Sequence, residues 1–438
     1  MVGDSAEPRK PVLLSEPREG VPGVVDTAAG FDSALAELKS ADGPVAADAE
    51  RASGYRYSHE DYLIQIKRVG TGIFLFDVPA LLADGVDLSR LTTEIPGQQW
   101  ILHDASQDLP GFADVGIRPA SLFDTEFAAR FLDLPHVDLS ACTESFLGLR
   151  LAKEHAAADW SYRPLPRDWR NYAALDVELL IQLREKMAQA LRKAGKADWG
   201  RAEFAHILSV GLGGQDTPKE PWRHTSHITA LGSDRRALAV VRQLWATRDR
   251  IARSLDIAPT LLLRDSTIIR VAQLKPRNAR QFAAVPELSQ RVRVHTGTAQ
   301  DKMFERYAPI QRKIKPRVWK QAVLDALQEP RSQWPAVSAP RSHEGTSVPR
   351  SMKYWRVHQP QRYARLEEAK QAIEAIARRV RIPSDLLVRP RILRSYFWSD
   401  DPNPDIDAFL EARGVRDWQR RLVNESLKRV IMEKLPSE

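Results

Sequence analysis

The chain has 438 residues and a formal net charge of +8, with 43% hydrophobic and 28% charged residues. This composition predicts a globular protein of two to four domains and excludes a disordered or fibrous chain. A single cysteine, Cys142, excludes a disulfide framework and indicates a reducing, cytoplasmic environment. No apolar run approaches the roughly 20 residues of a membrane span, and the first 20 residues lack the apolar core of a signal peptide.

The charge is distributed unevenly along the chain. Residues 1–200 contain 31 acidic and 21 basic residues, whereas residues 201–438 contain 26 acidic and 44 basic residues. The net charge is therefore −10 in the first part and +18 in the second. An acidic first part joined to a strongly basic second part indicates that the second part binds a polyanion such as nucleic acid, and solubility is the alternative interpretation.

The first elements in chain order predict an α/β domain over residues 31–210. Residues 1–30 are rich in Pro, Gly and Glu and are expected to form a disordered tail. Alternating apolar residues, many of them β-branched or aromatic, then predict strands over 44–50, 62–69, 72–78 and 98–105. Helical spacing follows over 106–116, 125–134, 139–149 and about 167–194. This order indicates a mixed sheet flanked by helices.

The remaining chain is expected to form two small helical domains. A Gly/Pro linker over 211–225 leads to the first, over 226–328, and a Pro/Ser-rich linker over 329–351 leads to the second, over 352–438. Residues 252–264 and 377–389 align without a gap and are identical at six of 13 positions. Both segments follow an amphipathic helix, so we interpret the two domains as copies of one helical module.

Acidic side chains occur where two predicted strands end. Asp48 and Glu50 are two residues apart on the first strand, so both side chains leave the same face and repel each other unless a cation lies between them. Asp108 opens a helix after the fourth strand, near His103 and Asp104, which we interpret as a buried histidine and a turn residue.

A second pair with the same spacing, Asp124 and Glu126, lies where a short strand becomes a helix. We interpret Asp124 as a helix N-cap rather than as a catalytic residue. On the predicted helix over 167–194, Tyr172 and Asp176 are four residues apart and therefore share one face. A buried tyrosine beside a solvated aspartate is the alternative interpretation of this pair.

These five residues, in this order, resemble the DEDDy subgroup of 3′→5′ exonucleases and, more closely, the ribonuclease D family. The motifs that carry the resemblance are "VAADAERASGYRYS", "ILHDASQDL", "NYAALDVELL" and the loop "LAKEHAAADWSYRPLP". The resemblance implies a ribonuclease H-like fold with Asp48, Glu50, Asp108 and Asp176 as ligands of two Mg²⁺ or Mn²⁺ ions. It also implies that Tyr172 orients the attacking water and that nucleoside 5′-monophosphates are released.

The helical half resembles the HRDC module that ends ribonuclease D chains. Residues 235–276 carry this resemblance, and about 355–431 look like a more divergent copy. The similarity to the family implies a monomeric protein that trims the 3′ ends of structured RNA, with precursor tRNA as the leading candidate. The segment 285–330 lacks the glycine-containing turn that is usual in the module, so its fold is left open.

Several residues outside the carboxylate set are candidates for contact with nucleic acid. They are Tyr55, Arg56 and Tyr57 after the first motif, Lys153, Trp160 and Arg163 before the third motif, and Arg312, Lys313, Lys315, Arg317 and Trp319 in the densest basic cluster. Basic and aromatic residues together suit phosphate contacts and base stacking. The alternatives are packing against a neighbouring strand, an ordinary polar loop and a solvated charged face.

Two other functions are compatible with the same residues. A DNA 3′→5′ exonuclease would use the same carboxylates, because the catalytic metal ions do not distinguish ribose from deoxyribose, and single-stranded DNA is therefore a possible substrate. A nucleic-acid-binding adaptor that has lost its activity is the non-enzymatic alternative. The complete carboxylate set and Tyr172 favour an active nuclease.

Overall fold

The computed structural model describes residues 10–95, 97–152, 155, 157–214, 219–337, 348–349, 351–399 and 405–432. Within these ranges every strand lies before residue 152, and the regular elements that follow are helical. The predicted fold class, an α/β domain followed by all-α domains, is therefore confirmed. None of the helices in the described ranges is long and apolar enough to cross a membrane.

The first domain contains the strands β1 (Val12–Leu14), β2 (Val24–Val25), β3 (Val45–Arg51), β4 (Asp61–Lys67), β5 (Ile73–Asp77), β6 (Gln99–Leu102), β7 (Ser121–Asp124) and β8 (Leu149–Leu151). Six of them form one mixed sheet in the order β2-β5-β4-β3-β6-β7. β4 runs antiparallel to β3 and β5, whereas the pairs β2–β5, β3–β6 and β6–β7 are parallel. β3 thus lies in the middle of the sheet, and the four predicted strands correspond to β3, β4, β5 and β6.

Helices surround this sheet, namely α1 (Ala28–Ser40), α2 (Val78–Ala83), α3 (Arg90–Thr93), α4 (Ala105–Asp114), α5 (Thr125–Phe131), α6 (Leu139–Leu147), α7 (Arg167–Glu178), α8 (Leu180–Lys193) and α9 (Ala197–Leu212). α7 packs against β3, β4 and β5, which brings it over the middle of the sheet. The single helix predicted over about 167–194 is wrong in one respect. A single turn residue, Leu179, separates α7 from α8, so they are two helices.

The N-terminal segment is part of the fold, and the prediction of a disordered tail is wrong for its described residues. β1 pairs with β8 in a two-stranded parallel sheet, and β2 adds an edge strand beside β5. Between these strands the segment contacts the first turns of α7. Arg167 forms an ion pair with Glu16 at 2.9 Å, and the Asn171 amide donates to the carbonyl of Ser15 at 2.8 Å.

The first helical domain contains α10 (Arg235–Leu255), α11 (Pro259–Leu262), α12 (Asp265–Leu274), α13 (Ala279–Ala283), α14 (Gln300–Glu305), α15 (Ala308–Lys313) and α16 (Pro316–Gln328). The second contains α17 (Met352–His358), α18 (Pro360–Val380), α19 (Pro390–Trp398), α20 (Ile406–Glu411) and α21 (Asp417–Met432). Short 3-10 helices occur at Pro221–His224, Ile228–Leu231, Pro286–Leu288, Arg331–Gln333 and Ser384–Leu386.

The two helical domains share the arrangement that their sequence similarity predicted. Each contains a long helix of 21 residues, α10 or α18, and this helix ends at a residue in the left-handed conformation, Asp256 or Arg381. A single helical turn and a helix of about ten residues follow, and a later helix, α16 or α21, packs back on the first. The exact boundaries proposed for the domains and linkers remain predictions.

Both helical domains pack against the α/β domain. The hydrophobic core of the second helical domain is continuous with that of the α/β domain, and Trp418 lies between Phe131 and Trp199 at ring distances of 5.5 and 5.1 Å. Arg416 forms a two-pronged ion pair with the buried Glu203 at 2.5 and 2.7 Å. The core of the first helical domain takes in Tyr55 of the α/β domain.

Candidate active site

Three carboxylates converge where β3 meets α7. Asp48 and Glu50 leave the same face of β3, and Asp176 reaches them from α7. One oxygen of each carboxylate lies within 4.8 Å of the others. The preceding residues of β3 are small and fully buried, so the helix approaches the strand closely at this point.

The fourth carboxylate, Asp108, lies on α4 near this group. It lies in the first turn of α4, directly after β6, and is buried. Its carboxylate accepts a hydrogen bond from Arg51 at 3.3 Å instead of lying within the cluster of three. Its charge nevertheless acts on Glu50, because Asp108 is one of the neighbours that raise the Glu50 pKa.

The electrostatics of the group favour a cation. Burial, partly offset by a backbone hydrogen bond and by Arg51, raises the pKa of Asp48 from 3.8 to about 7. Burial and then the charges of Asp48, Asp176 and Asp108 raise the pKa of Glu50 well above its usual range. Carboxylate oxygens are the ligands that Mg²⁺ and Mn²⁺ prefer, and a bound cation would stabilise the ionised forms that burial disfavours. The four carboxylates therefore fit a divalent metal site.

Tyr172 lies one turn before Asp176 on α7 and is half-buried. Burial and then the negative charges of Asp176, Glu50 and Asp48 raise the pKa of its phenol. The phenol therefore keeps its proton at neutral pH and donates a hydrogen bond to Asp176. The interpretation as a buried tyrosine beside a solvated aspartate does not describe this pair, because the two side chains interact within the carboxylate group.

The second acidic pair has the structural role expected of it. Asp124 is the N-cap of α5, accepting from the amide of Phe127 at 3.0 Å, and it also accepts from the amide of Ala105 at 2.9 Å. His103 is half-buried, and its Nδ1 lies 2.9 Å from the hydroxyl of Thr125. Cys142 is fully buried, as expected for a small apolar side chain.

Tyr55, Arg56 and Tyr57 lie in the contact between the α/β domain and the first helical domain. Tyr55 is 2% exposed, so its proposed stacking on a base is wrong for this conformation. The hydroxyl of Tyr57 donates to Asp249 at 2.9 Å, and Arg56 forms an ion pair with Asp256 at 3.3 Å. These three residues therefore hold two domains together.

The loop before α7 is also mainly structural. Trp160 is fully buried, which contradicts the proposal that it contacts nucleic acid. Arg163 forms an ion pair with Asp77 and donates to the carbonyl of Tyr62 at 2.8 Å, which fixes the loop on β4 and β5. Lys153 lies outside the described residues.

The basic cluster after α14 divides into exposed and buried members. Arg312, Lys313, Lys315 and Arg317 are exposed around the junction of α15 and α16 and remain candidates for phosphate contact. Trp319 is 4% exposed and belongs to the core of the first helical domain, so its predicted stacking on a base is wrong.

A buried ion pair behind the carboxylates was not predicted from the sequence. Arg51 follows Glu50 at an irregularity in β3 and forms an ion pair with Asp61 on β4 at 3.1 Å. Asp61 is 1% exposed and lies against Gly111 of α4, where a Cβ atom would come within 2.3 Å of the Asp61 carboxylate. Opposite charges at paired ends of two predicted strands were the available signal.

Comparisons with known proteins agree with this architecture. Residues 22–192 match the family described as 3′-5′ exonuclease, residues 237–299 match the HRDC domain, and residues 348–431 match the 3′ to 5′ exonuclease C-terminal domain. Ribonuclease D of Acidiphilium cryptum is 33% identical over 211 residues, which cover 47% of this chain and 53% of the relative. Ribonuclease D of Pseudomonas paraeruginosa is 28% identical over 278 residues, which cover 63% of this chain and 68% of the relative.

Two solved structures extend the comparison over nearly the whole chain. A protein from Bifidobacterium adolescentis is 52% identical with a TM-score of 0.91, covering 97% of this chain and 100% of that chain. The Escherichia coli RNase D, described as an exoribonuclease involved in structured RNA processing, is 20% identical with a TM-score of 0.62, covering 93% of this chain and 98% of that chain. At this identity the second match shows the fold alone.

Fold and site together define a 3′–5′ exonuclease domain followed by an HRDC domain and a second helical domain. The matches to the first curated relatives span about half of their length. The chain is similar to ribonuclease D, which is the resemblance that the sequence motifs predicted.

Proposed function

We propose that the protein is a metal-dependent 3′→5′ exoribonuclease that releases nucleoside 5′-monophosphates. The observation that carries this proposal is the convergence of Asp48, Glu50 and Asp176 within 4.8 Å, with Tyr172 bonded to Asp176. Four carboxylates crowded together repel each other without a cation, whereas they suit metal-assisted phosphodiester hydrolysis.

The side chains divide the chemical work. Asp48, Glu50, Asp108 and Asp176 would hold two divalent cations, Mg²⁺ or Mn²⁺, which supply positive charge to the scissile phosphate and to the leaving 3′ oxygen. Tyr172 keeps its proton and orients the attacking water by a hydrogen bond. The water oxygen forms the new bond to phosphorus as the bond to the 3′ oxygen breaks.

The proposed substrate is RNA with an accessible 3′ end, and precursor tRNA is the leading candidate. The names of the curated relatives and the +18 charge of residues 201–438 support a nucleic-acid substrate held by the helical half. We propose that a monomer is the working form, because both helical domains pack on the α/β domain of the same chain. Light scattering after gel filtration tests the monomer.

The central experiment uses RNA labelled at its 5′ end and carrying a single-stranded 3′ tail. With Mg²⁺ or Mn²⁺, the wild-type protein should shorten the RNA in single-nucleotide steps. The RNA should keep its length when EDTA is added or when Asp48→Asn replaces the wild-type protein. DNA of the same sequence measures sugar preference in parallel. Retained binding without any shortening of either polymer, under both metals, would contradict the proposal.

A further inference from the structure

Two loops border the proposed catalytic carboxylates, and both are held by the first helical domain. The first loop, residues 52–58, follows the end of β3 and is one residue away from Glu50. The second, residues 157–163, leads into α7, which carries Tyr172 and Asp176. Arg56 of the first loop donates to Ser161 of the second at 2.9 Å, so the loops also contact each other.

The second loop is fixed by a buried carboxylate, Asp159. Its side chain is fully buried and accepts hydrogen bonds from two residues of the first helical domain, Arg306 at 2.7 Å and Tyr307 at 2.9 Å. Its other oxygen accepts from the hydroxyl of Ser161 at 2.5 Å. A buried carboxylate is costly without such partners, so the loop keeps this position only while the helical domain supplies them.

The same loop supports the catalytic tyrosine. Trp160, the residue after Asp159, is fully buried with its ring 6.2 Å from Tyr172 and 5.4 Å from Trp169. Tyr162, two residues further on, lies beneath the guanidinium of Arg306 at 4.7 Å. Because Trp160 directly follows Asp159, a shift of Asp159 would move the Trp160 ring that packs against Tyr172.

The first loop is held by the same domain through different groups. Tyr55 stacks on Phe304 with ring centroids 4.4 Å apart, and its carbonyl accepts from the amide of Ala258 at 2.8 Å. Asp256, at the end of α10, accepts from the amides of Tyr57 and Ser58 at 3.2 and 3.1 Å. The loop that follows Glu50 thus takes its conformation from the helical domain.

We propose that Asp159 is a positioning residue and that the first helical domain, through Arg306 and Tyr307, completes the catalytic site. The domain then acts on the chemical step, in addition to any role in holding nucleic acid. This inference rests on the proposed exonuclease activity. It assigns to the interdomain contact a function that an RNA-binding appendage would not have.

Two conservative variants test the proposal. Asp159→Asn removes the charge at constant size, and Tyr307→Phe removes one hydroxyl while keeping its ring. Each variant weakens a buried charge-assisted hydrogen bond and is expected to misplace Tyr172 slightly, so each should lower kcat about tenfold. KM for a short single-stranded RNA should change by less than about threefold, because no group that contacts substrate is altered. The double variant should lose little more than either single variant, since both changes break the same contact.

Matched controls come from the other interdomain contact. Asp385 of the second helical domain forms an ion pair with Arg130 of the α/β domain at 2.7 Å, so Asp385→Asn breaks an interdomain aspartate–arginine pair away from the active site. Tyr363→Phe repeats the loss of a hydroxyl in the second helical domain. Both controls should retain wild-type kcat.

A second measurement does not depend on activity. Hydrogen exchange of the amides over 157–163, in protein without substrate, should be at least about tenfold faster in Asp159→Asn and Tyr307→Phe than in the controls. If the wild-type protein degrades no RNA, the proposed function fails while this measurement still tests the contact. Tyr307→Phe guards against misfolding, because it removes one atom.

Three results would overturn the inference. One is an unchanged kcat with a raised KM in both variants, which would make the domain a substrate holder only. Another is an equal loss of kcat in Asp385→Asn, which would indicate general loosening. The last is wild-type exchange over 157–163 in folded Tyr307→Phe, which would show that the contact does not order the loop.

Discussion

Replacing Asp48 by asparagine should make the metal-free protein more stable while it abolishes activity. Burial raises the pKa of Asp48 to about 7, so above that pH the folded protein carries a buried charge beside Glu50 and Asp176. Asparagine keeps the size of the side chain and removes the charge. Asp48, a proposed metal ligand, is thus expected to lower the free energy of unfolding of the metal-free protein.

The magnitude follows from the pKa. A rise from 3.8 to about 7 corresponds to roughly 4 kcal/mol, at about 1.4 kcal/mol per pH unit. The side chain keeps partial contact with water, which screens the interaction, so we expect about 1–2 kcal/mol, or an increase in Tm of about 3–6 °C. Between pH 4 and 7 folded Asp48 retains a proton that the unfolded chain has lost, so wild-type stability falls as pH rises through this window.

Thermal unfolding in EDTA, followed by circular dichroism at pH 5 and pH 8, measures this effect. The gain of Asp48→Asn over wild type should be about 40% of its full size at pH 5 and full at pH 8. Adding Mg²⁺ should raise the wild-type Tm and leave the variant nearly unchanged, because binding to the folded state stabilises it by mass action. Asp198→Asn is the control, since the Asp198 side chain is 81% exposed.

A variant less stable than wild type in EDTA at pH 8 would refute the electrostatic reasoning. A Mg²⁺-dependent increase in Tm of equal size in both proteins would instead show that Asp48 is not a metal ligand.

Three further predictions concern the same domain. Tyr172→Phe should lower kcat about 10- to 100-fold in single-turnover kinetics, because the phenol orients the attacking water. The Mg²⁺-dependent rise in Tm should remain, because the phenol does not bind metal. An unchanged kcat would show that Tyr172 does not have this role. Gly111→Ala should destabilise the protein by about 2–4 kcal/mol in urea unfolding, because its Cβ would come within 2.3 Å of the Asp61 carboxylate. Gly200→Ala is the control and should be neutral or stabilising, because its Cβ would have ordinary contacts at 3.5 Å. Equal effects of the two substitutions would contradict this packing. Because the pKa values of Asp48 and Glu50 are raised, activity should increase between pH 5.5 and 8. A tenfold higher Mg²⁺ concentration should move this increase to lower pH, because the metal competes with protons for the carboxylates. A pH–rate profile that does not respond to metal concentration would contradict this competition.

The central strands and the carboxylate set could be predicted because their signals are local. β3 carries its small buried residues and both acids within seven positions, so the spacing of Asp48 and Glu50 alone puts them on one face. The four-residue spacing of Tyr172 and Asp176 acts in the same way on a helix. Asp108 needed only its place at the start of the helix after β6.

The aromatic residues could not be assigned in this way. Tyr55, Trp160 and Trp319 stand beside basic residues, a pattern that fits a platform for bases and a packed contact between domains equally well. Their partners lie far away in the chain, as Phe304 does from Tyr55. The ordered N-terminal segment escaped prediction for the same reason, since β1 takes all its strand contacts from β8, more than 130 residues later.

The contacts of that N-terminal segment set an order on folding during synthesis. Residues 12–25 leave the ribosome well before their partners, because Leu149–Leu151 and the start of α7 at Arg167 are made much later. β1 must therefore wait, unpaired, for about 140 residues of translation, or roughly 7–28 seconds at about 5–20 residues per second. Only then can the segment contact the start of the helix that carries Tyr172. A nascent chain would thus remain without a finished nuclease site while its own messenger RNA is still nearby.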